Sequence, residues 1–361
     1  MAEQDRRDLL EALCLAPGPP GGEDAVRDLV RTSLQDAGTL SHDRLGSVLC
    51  EVPGNSVGPR VVVDSHLDEV GFMIQSVTAD GRLPFVPLGG WWGHVLLGQR
   101  VDILAAGGTV PAVVGCKPPH FLSRAEREKV LGLEQMYLDV GASSRAQVDD
   151  LGVRVGDMAV PHAPFADMAV AGVVSAKALD NRIGVALMIE TLRHGAENAG
   201  HPNTLIGVAA AQEEVGLRGA RTASTLARPD IALVLECTPA DDLPGVDDPQ
   251  GRLGGGPQLR FFDPTAVANR RFARWLCDLA DSSDLPLQRA VRRSGGTNAG
   301  AIHGWGEGVP TAVLGVPARY IHSHVSLMQW SDYDAAARLV REAVAKLDAS
   351  TVAGFTNYQA S

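Results

Sequence analysis

Four short apolar runs punctuate the chain: Val61-Val62-Val63, Leu205 to Ala211, Ile231 to Leu235 and Thr311 to Val316. Each is continuous rather than alternating and is bounded by turn or polar residues, which predicts strands of a sheet buried on both faces by helices. Each also runs into a polar island: Asp64 to Glu69, Gln212-Glu213-Glu214, Glu236, and Arg319-Tyr320-Ile321-His322. A fifth island, Leu179-Asp180-Asn181, precedes Arg182 to His194, where Ile183, Ala186, Leu187, Ile189 and Leu192 recur on one face of a helix. In an open α/β sheet the carboxyl ends of the strands share one edge, so islands far apart in sequence are expected to converge there.

The texture changes between Gly71 and about Phe165. Short β-like pieces with Gly and Pro punctuation, around 72–75, 100–104, 109–114, 136–139 and 157–160, predict a small β-barrel or sandwich. The expected architecture is therefore α/β, a mixed central sheet with helices on both faces formed by residues 1–70 and 166–361, interrupted by an inserted β-rich domain over 71–165. A helix is expected over Asp24 to Ala37 and a strand near 47–51, while Thr238 to Pro257, rich in Gly, Asp and Pro, is expected to be a loop over the site.

Composition narrows the function. The chain has 361 residues, a formal net charge of −11 and 45% hydrophobic residues. A chain of this length predicts two domains, and its acidity argues against nucleic acid and gives no support for an anionic membrane. No long apolar run predicts a membrane span and the first residues lack a signal-peptide pattern, so a cytoplasmic location is expected. Five scattered cysteines with no Cys-x-x-Cys pair predict no disulfide framework, and Cys237 is expected to be a small buried residue.

The islands supply two imidazoles and several carboxylates, an inventory that fits two divalent ions with an acid or base beside them. Asp68, two residues after His66, is expected to accept a hydrogen bond from the second ring nitrogen and so fix the tautomer of a liganding imidazole. Asp180 has two readings, an N-cap or a bridge between two ions. Glu213 and Glu214 follow a run that should be deeply buried, where like charges need cations or shifted pKa values. On extended backbone the two side chains point apart, so Glu214 is expected to hold metal and Glu213 to serve as general acid and base. Arg319 and Tyr320 are candidates for orienting substrate, with charge balance as the other reading. Trp91, Trp92, Trp305 and Trp330 are expected to be packing or interface residues.

The strings Ser65 to Gly71, Lys177 to Gly184, Gln212 to Ala220 and Arg319 to Ser323 resemble those of the M42 metallo-aminopeptidases, which include the TET-type and deblocking aminopeptidases. The match runs in consistent order from about Leu9 to about Leu347. It implies a dinuclear exopeptidase, with zinc or alternatively cobalt or manganese, acting on peptide substrates, with the insert as a dimerisation domain and assembly into homo-oligomers up to dodecamers. By motif, His66, Asp180 and Glu236 would hold one ion, Asp180, Glu214 and His322 the other, and Glu213 would be the base. Two positions depart from the pattern: Glu236 stands where Asp is frequent, and Asn298 where a Gly-Thr-Asp string is common.

Three other readings of the residues remain open: a related metallohydrolase such as a deacylase or carboxypeptidase, an endoglucanase, and a non-catalytic metal-stabilised assembly. A glycosidase needs two carboxylates flanking the bond, which adjacent Glu213 and Glu214 do not suit. A scaffold has no need of the spare carboxylate.

Overall fold

The computed structural model describes residues 3–55, 57–198 and 200–358. Its strands are β1 (Thr39–His42), β2 (Val48–Val52), β3 (Arg60–His66), β4 (Gly71–Ile74), β5 (Leu83–Leu88), β6 (Arg100–Ala105), β7 (Gly108–Gly115), β8 (Tyr137–Asp139), β9 (Met158–Pro161), β10 (Ala166–Asp167), β11 (Val173–Ala176), β12 (Thr204–Ala210), β13 (Ile231–Pro239), β14 (Gln258–Asp263), β15 (Ala266–Val267), β16 (Gln288–Val291), β17 (Thr311–Arg319) and β18 (Ser326–Gln329). A 12-stranded mixed sheet runs in the order β1-β2-β12-β3-β13-β17-β18-β11-β10, with β14 branching from β17 to carry β15 and β16.

The continuous apolar runs occupy the centre of this sheet because both faces are covered. Val61 and Val63 of β3 face one side, against the helices Glu3–Leu15, Asp24–Leu34 and Leu179–Glu197. Val62 of the same strand faces the other, where Ala220, Ala223 and Ala227 of the helix Arg218–Ala227 pack. A glycine sets the approach of the long helix. A Cβ at Gly207 of β12 would lie 2.2 Å from a Leu192 methyl and 2.6 Å from the Met188 sulfur.

β12, β3, β13 and β17 are mutually parallel. β11 is antiparallel to β18, which is antiparallel to β17, so β11 also runs their way. The carboxyl ends of all five strands therefore open at one edge, where the polar islands stand.

The region between β3 and β10 resolves into a closed antiparallel barrel in the order β4-β5-β8-β7-β6-β9. Alternate residues fill it, among them Phe72, Ile74, Leu83, Phe85, Val101, Ile103, Val114 and Leu138. β5 escapes the sequence pattern because Pro84 and Pro87 interrupt it, and prolines demote a run that otherwise looks like a strand. Among the described residues no helix is long and apolar enough to cross a membrane. All five cysteines are free.

Candidate metal centre

His66 is the last residue of β3, and its Nδ1 lies 3.0 Å from the backbone carbonyl of Asp68. A ring nitrogen facing a carbonyl must carry the proton, which leaves the Nε2 lone pair pointing into the site. There it meets Asp180 Oδ1 at 3.3 Å, Glu236 Oε2 at 3.8 Å and Glu213 Oε2 at 3.9 Å. His322 repeats the device. Its Nδ1 is 2.6 Å from the Gly90 carbonyl, and its Nε2 faces Asp180 Oδ2 and Glu214 Oε1, each at 3.3 Å. Two imidazole lone pairs thus point at carboxylate oxygens, an arrangement that repels unless a proton or a cation stands between.

The expected partnership of His66 with the Asp68 carboxylate needs correction. β3 ends at His66 and Leu67 N–H turns to the Ala210 carbonyl at 2.7 Å, so the i, i+2 geometry of a continuing strand is lost. The backbone carbonyl of Asp68 takes the ring proton, while its carboxylate, 3.4 Å from Nδ1, accepts the backbone N–H groups of Glu213 at 2.9 Å and Glu214 at 3.0 Å. Asp68 is therefore the strut of the turn that carries both glutamates. Asp68→Asn would turn one acceptor oxygen into an N–H donor facing another N–H. We expect a loss of kcat/KM of about 10- to 100-fold, and wild-type kinetics in that variant would remove the role.

The Glu213-Glu214 pair is not on extended backbone either. β12 stops at Ala210, Gln212 has φ 56°, and the N–H groups of Gly216 and Leu217 return to the Glu213 carbonyl at 2.9 Å. This turn, held by Asp68, sends Glu213 toward His66 and Glu214 toward His322. Left-handed backbone recurs around the site, at Ala178 (φ 55°), Gln212, Leu217 (φ 56°), Tyr320 (φ 60°) and His322 (φ 55°). Strained φ values of this kind persist where surrounding contacts over-determine them.

Asp180 and Asn181 have non-helical dihedrals at the head of the helix Leu179–Glu197. The Asn181 side chain caps it, accepting Gly184 N–H at 3.0 Å and donating to the Leu235 carbonyl at 2.9 Å. The capping role weighed for Asp180 falls to its neighbour, and the Asp180 carboxylate addresses one imidazole with each oxygen.

Arg319 differs from the substrate-orienting reading. Its guanidinium is engaged by the Asp242 carboxylate, Nε to Oδ1 at 2.8 Å and Nη2 to Oδ2 at 2.6 Å, and so ties the loop after β13 to the end of β17. Tyr320 is exposed and lines a groove beyond His322 rather than the metal cavity. Cys237 lies against the site, but burial pushes its thiol well above the usual range.

The cavity over these groups has a volume of about 360 Å³. Its far wall is made by Arg260, Arg292 and the segment Ser294 to Thr297; the Gly-Thr string before Asn298 is marked in the sequence, whereas Arg260 and Arg292 carry no such signal. Each guanidinium is already paired, Arg260 with Asp263 at 3.2 Å and Arg292 with Asp241 at 2.5 Å, so the wall carries little net charge. Asn298 sits beneath, fully buried, and donates to Asp64 Oδ1 at 2.7 Å. Burial pushes the Asp64 carboxyl up to about 7.

The residues fit cations. In a tetrahedral zinc site with bonds of about 2.0–2.1 Å, neighbouring donors lie about 3.4 Å apart, which matches the 3.3 Å separations of Asp180 from each imidazole and of Glu214 from His322. The donor atoms of His66, Asp180 and Glu214 lie within 4.8 Å of one another, as do those of His66, Glu213 and Glu236. Glu236 Oε1 is buried with no hydrogen-bond partner.

Without cations only protons can relieve the site. Burial raises Glu213 to about 8, with His66 opposing and Glu214, Asp68 and Asp180 adding to the rise. Glu214 and Glu236 are also raised, chiefly by burial. Burial by itself would lower both imidazoles, but the facing carboxylates outweigh it, raising His322 to about 11 and His66 well above its usual value. A raised folded-state pKa gives stability that is present below the unfolded value and lost as pH rises through the folded one. Carboxylates and imidazoles share this sign here, and Asp180, held low by the imidazoles against its own burial, acts only in strong acid. Metal-free protein should therefore lose stability from pH 5 to 8, by on the order of 5 °C in Tm. Calorimetry in chelator checks this, and a Tm that is flat or rises over that range rejects it.

Comparison with known proteins bears on this geometry. A family described as M42 glutamyl aminopeptidase matches residues 46–339. The putative aminopeptidase FrvX of Escherichia coli (strain K12) is 37% identical, over 98% of each chain. The glutamyl aminopeptidase of Lactococcus lactis subsp. cremoris (strain MG1363) is 35% identical, over 97% of this chain and 99% of its own. Among solved structures, the TET aminopeptidase of the marine sediment archaeon Thaumarchaeota archaeon SCGC AB-539-E09 superposes with a TM-score of 0.95 at 39% identity, covering 98% of this chain and 99% of its own. The TET1 peptidase of Pyrococcus horikoshii, which can assemble into a tetrahedron or a large octahedral shell, gives 0.84 at 27% identity, over 95% of this chain and 100% of its own.

Proposed function

The chain belongs to the M42 family of aminopeptidases, and from that membership together with the site's geometry we propose that it removes the N-terminal residue of peptides by hydrolysis at a dinuclear metal centre. The observation that carries this reading is Asp180, whose two carboxylate oxygens each face the bare nitrogen of a different imidazole at 3.3 Å. His66, Asp180 and Glu236 would hold one ion, and Asp180, Glu214 and His322 the other, with zinc as the favoured metal and cobalt or manganese as alternatives. Bound there, the ions would supply Lewis acidity that makes water more acidic and a peptide carbonyl more electrophilic.

The chain's own groups then manage position and protons. Glu213, whose Oε2 lies 3.9 Å from His66 Nε2, would accept the proton of the attacking water and return it to the leaving amine. Its raised pKa belongs to the cation-free site, and the positive charge of bound ions would lower it so that the carboxylate is ionised at neutral pH. Asp68 fixes the turn so that this carboxylate stays beside His66. The carbonyls of Asp68 and Gly90 hold both imidazoles in the tautomer that presents Nε2. Convergence of four carboxylates on two imidazoles supports a metallohydrolase over a glycosidase, whose pair flanks a sugar-binding cleft.

The same membership supports a homo-oligomer, with a dodecameric shell as the largest expected form, the barrel as its dimerisation element and the cytoplasm as its location. The reading is tested with a panel of aminoacyl substrates and their N-acylated counterparts on stripped protein reloaded with zinc, cobalt or manganese. Hydrolysis confined to free α-amines and restored by metal supports an aminopeptidase. Preference for acylated substrates would assign a deacylase instead.

A further inference from the structure

Beside the metal cavity, on the side away from Arg260 and Arg292, lies a second and larger depression of about 710 Å³. The two share Gly90, Ile321 and His322, and the contact of His322 Nδ1 with the Gly90 carbonyl forms the saddle between them. The chemistry of the two hollows differs sharply. The first holds the site's carboxylates and two guanidiniums, whereas no Asp, Glu, Lys or Arg lines the second. Its surface is mainly aromatic and aliphatic, with His94, Gln99, Ser323 and His324 as its polar members beside the shared His322. Much of it stands open to water: Trp92 is 66% exposed, Tyr320 51%, Val325 49% and Leu97 42%. Trp91 is different, since its ring stacks on Phe72 at 4.8 Å and its Nε1 donates to the Gly71 carbonyl, so it serves as the floor.

An enzyme that cleaves after the first residue must hold that residue on one side of the metal centre and let the rest of the peptide leave on the other. The wall from Pro239 through Arg292 to Thr297 lines the cavity, and at Gly90, Ile321 and His322 the cavity adjoins the apolar hollow. We propose that this groove is the subsite for the residues following the scissile bond, with Trp92 and Tyr320 as its contact surfaces, selecting peptides whose second residue is large and apolar. The proposal rests on the aminopeptidase reading and deepens it. A second copy of the chain seated in the groove would cover the route by which the leaving segment departs from His322. An uncharged segment suits it because a charged side chain would lose water there and find no ionic partner.

The backbone explains how the surface is held. Tyr320 and His322 both have positive φ, so the chain reverses at each side of Ile321. His322 thereby turns to the metal cavity while Tyr320 is left on the groove. Ser323 pins this turn, its hydroxyl lying 2.6 Å from the Tyr320 carbonyl and 2.7 Å from the Val325 carbonyl with one proton to donate between them, while it accepts Val325 N–H at 3.2 Å.

The test uses the full-length, metal-loaded enzyme and three substrates sharing the best N-terminal residue from the panel: its amide, its Gly-Gly extension and its Phe-Gly extension. The Phe-Gly peptide is expected to exceed the Gly-Gly peptide in kcat/KM by about 10-fold or more, chiefly through KM. In Trp92→Ala that ratio should fall to within about 3-fold. Phe121→Ala, a barrel residue 72% exposed and outside the groove, should keep the wild-type ratio. Equal rates for the two extended peptides in the wild type, or a ratio that survives in Trp92→Ala, overturn the proposal. If the ratio survives while Trp92→Ala lowers the sedimenting mass, the groove is a contact between copies. Hydrolysis of the amide without discrimination at the second residue sinks this inference alone. No hydrolysis of any of the three sinks the aminopeptidase reading, and the subsite with it.

Discussion

Glu213→Gln is expected to retain both divalent ions and to lose about 10²- to 10⁴-fold in kcat. The substitution keeps the size of the side chain and its place on the turn, because the Asp68 carboxylate holds the backbone N–H of residue 213 and not its side chain. What it removes is the ability to take and return a proton. Burial beside three other carboxylates raises this group in the cation-free site, and the positive charge of bound ions would lower it again, leaving a carboxylate that can take a proton and return it within one cycle. The outcome is not trivial. Glu213 Oε2 lies 3.9 Å from His66 Nε2, and its donor atoms also group with those of His66 and Glu236. Metal analysis of the purified variant decides between the roles: a fall in bound metal parallel to the fall in kcat would make Glu213 a ligand and leave the site without its proposed base.

Asp180→Ala should have the other large effect, loss of both ions together and of on the order of 10³-fold or more in activity. Among the described residues no other carboxylate has an oxygen within 3.3 Å of each imidazole. If Asp180 bridges the two proposed ions, its removal would withdraw a donor from both at once and with it the negative charge that offsets their repulsion. Glu214→Ala is expected to contrast with it, releasing the ion at His322 while the one at His66 stays. Metal stoichiometry measured after dialysis separates the two patterns. One ion retained at full occupancy in Asp180→Ala would show that this carboxylate belongs to a single ion.

Much of the candidate site was legible because groups able to bind a cation stand at the ends of apolar runs. His66, Glu214, Glu236 and His322 follow strands whose buried character can be read residue by residue, and the parallel order of β12, β3, β13 and β17 brings them to one edge. Asp180 was legible as a candidate, but its two readings could not be separated until Asn181 was seen to cap the helix. Asp68 was recognised as part of the site, but its carboxylate, 3.4 Å from His66 Nδ1, also holds the turn of Glu213 and Glu214, and its backbone carbonyl is the nearer acceptor of the ring proton. Arg319 carried two readings, substrate orientation and charge balance, and the carboxylate it meets, Asp242, lies in a loop with no periodic pattern that could have named it.

The sequence by itself determined the local facts: which runs are buried strands, which residues can donate to a cation, and that a β-rich segment interrupts the α/β chain. These follow from side-chain chemistry and short-range periodicity, which each stretch carries within itself. Tertiary structure alone decided the partners. The tautomers of the imidazoles depend on the Asp68 and Gly90 carbonyls, the direction of the two glutamates on a turn held from 145 residues away, and the apolar groove on the meeting of 90–99 with 320–325. Hydrogen bonds and cavities of this kind join distant segments, and no local pattern encodes where such a segment will stand.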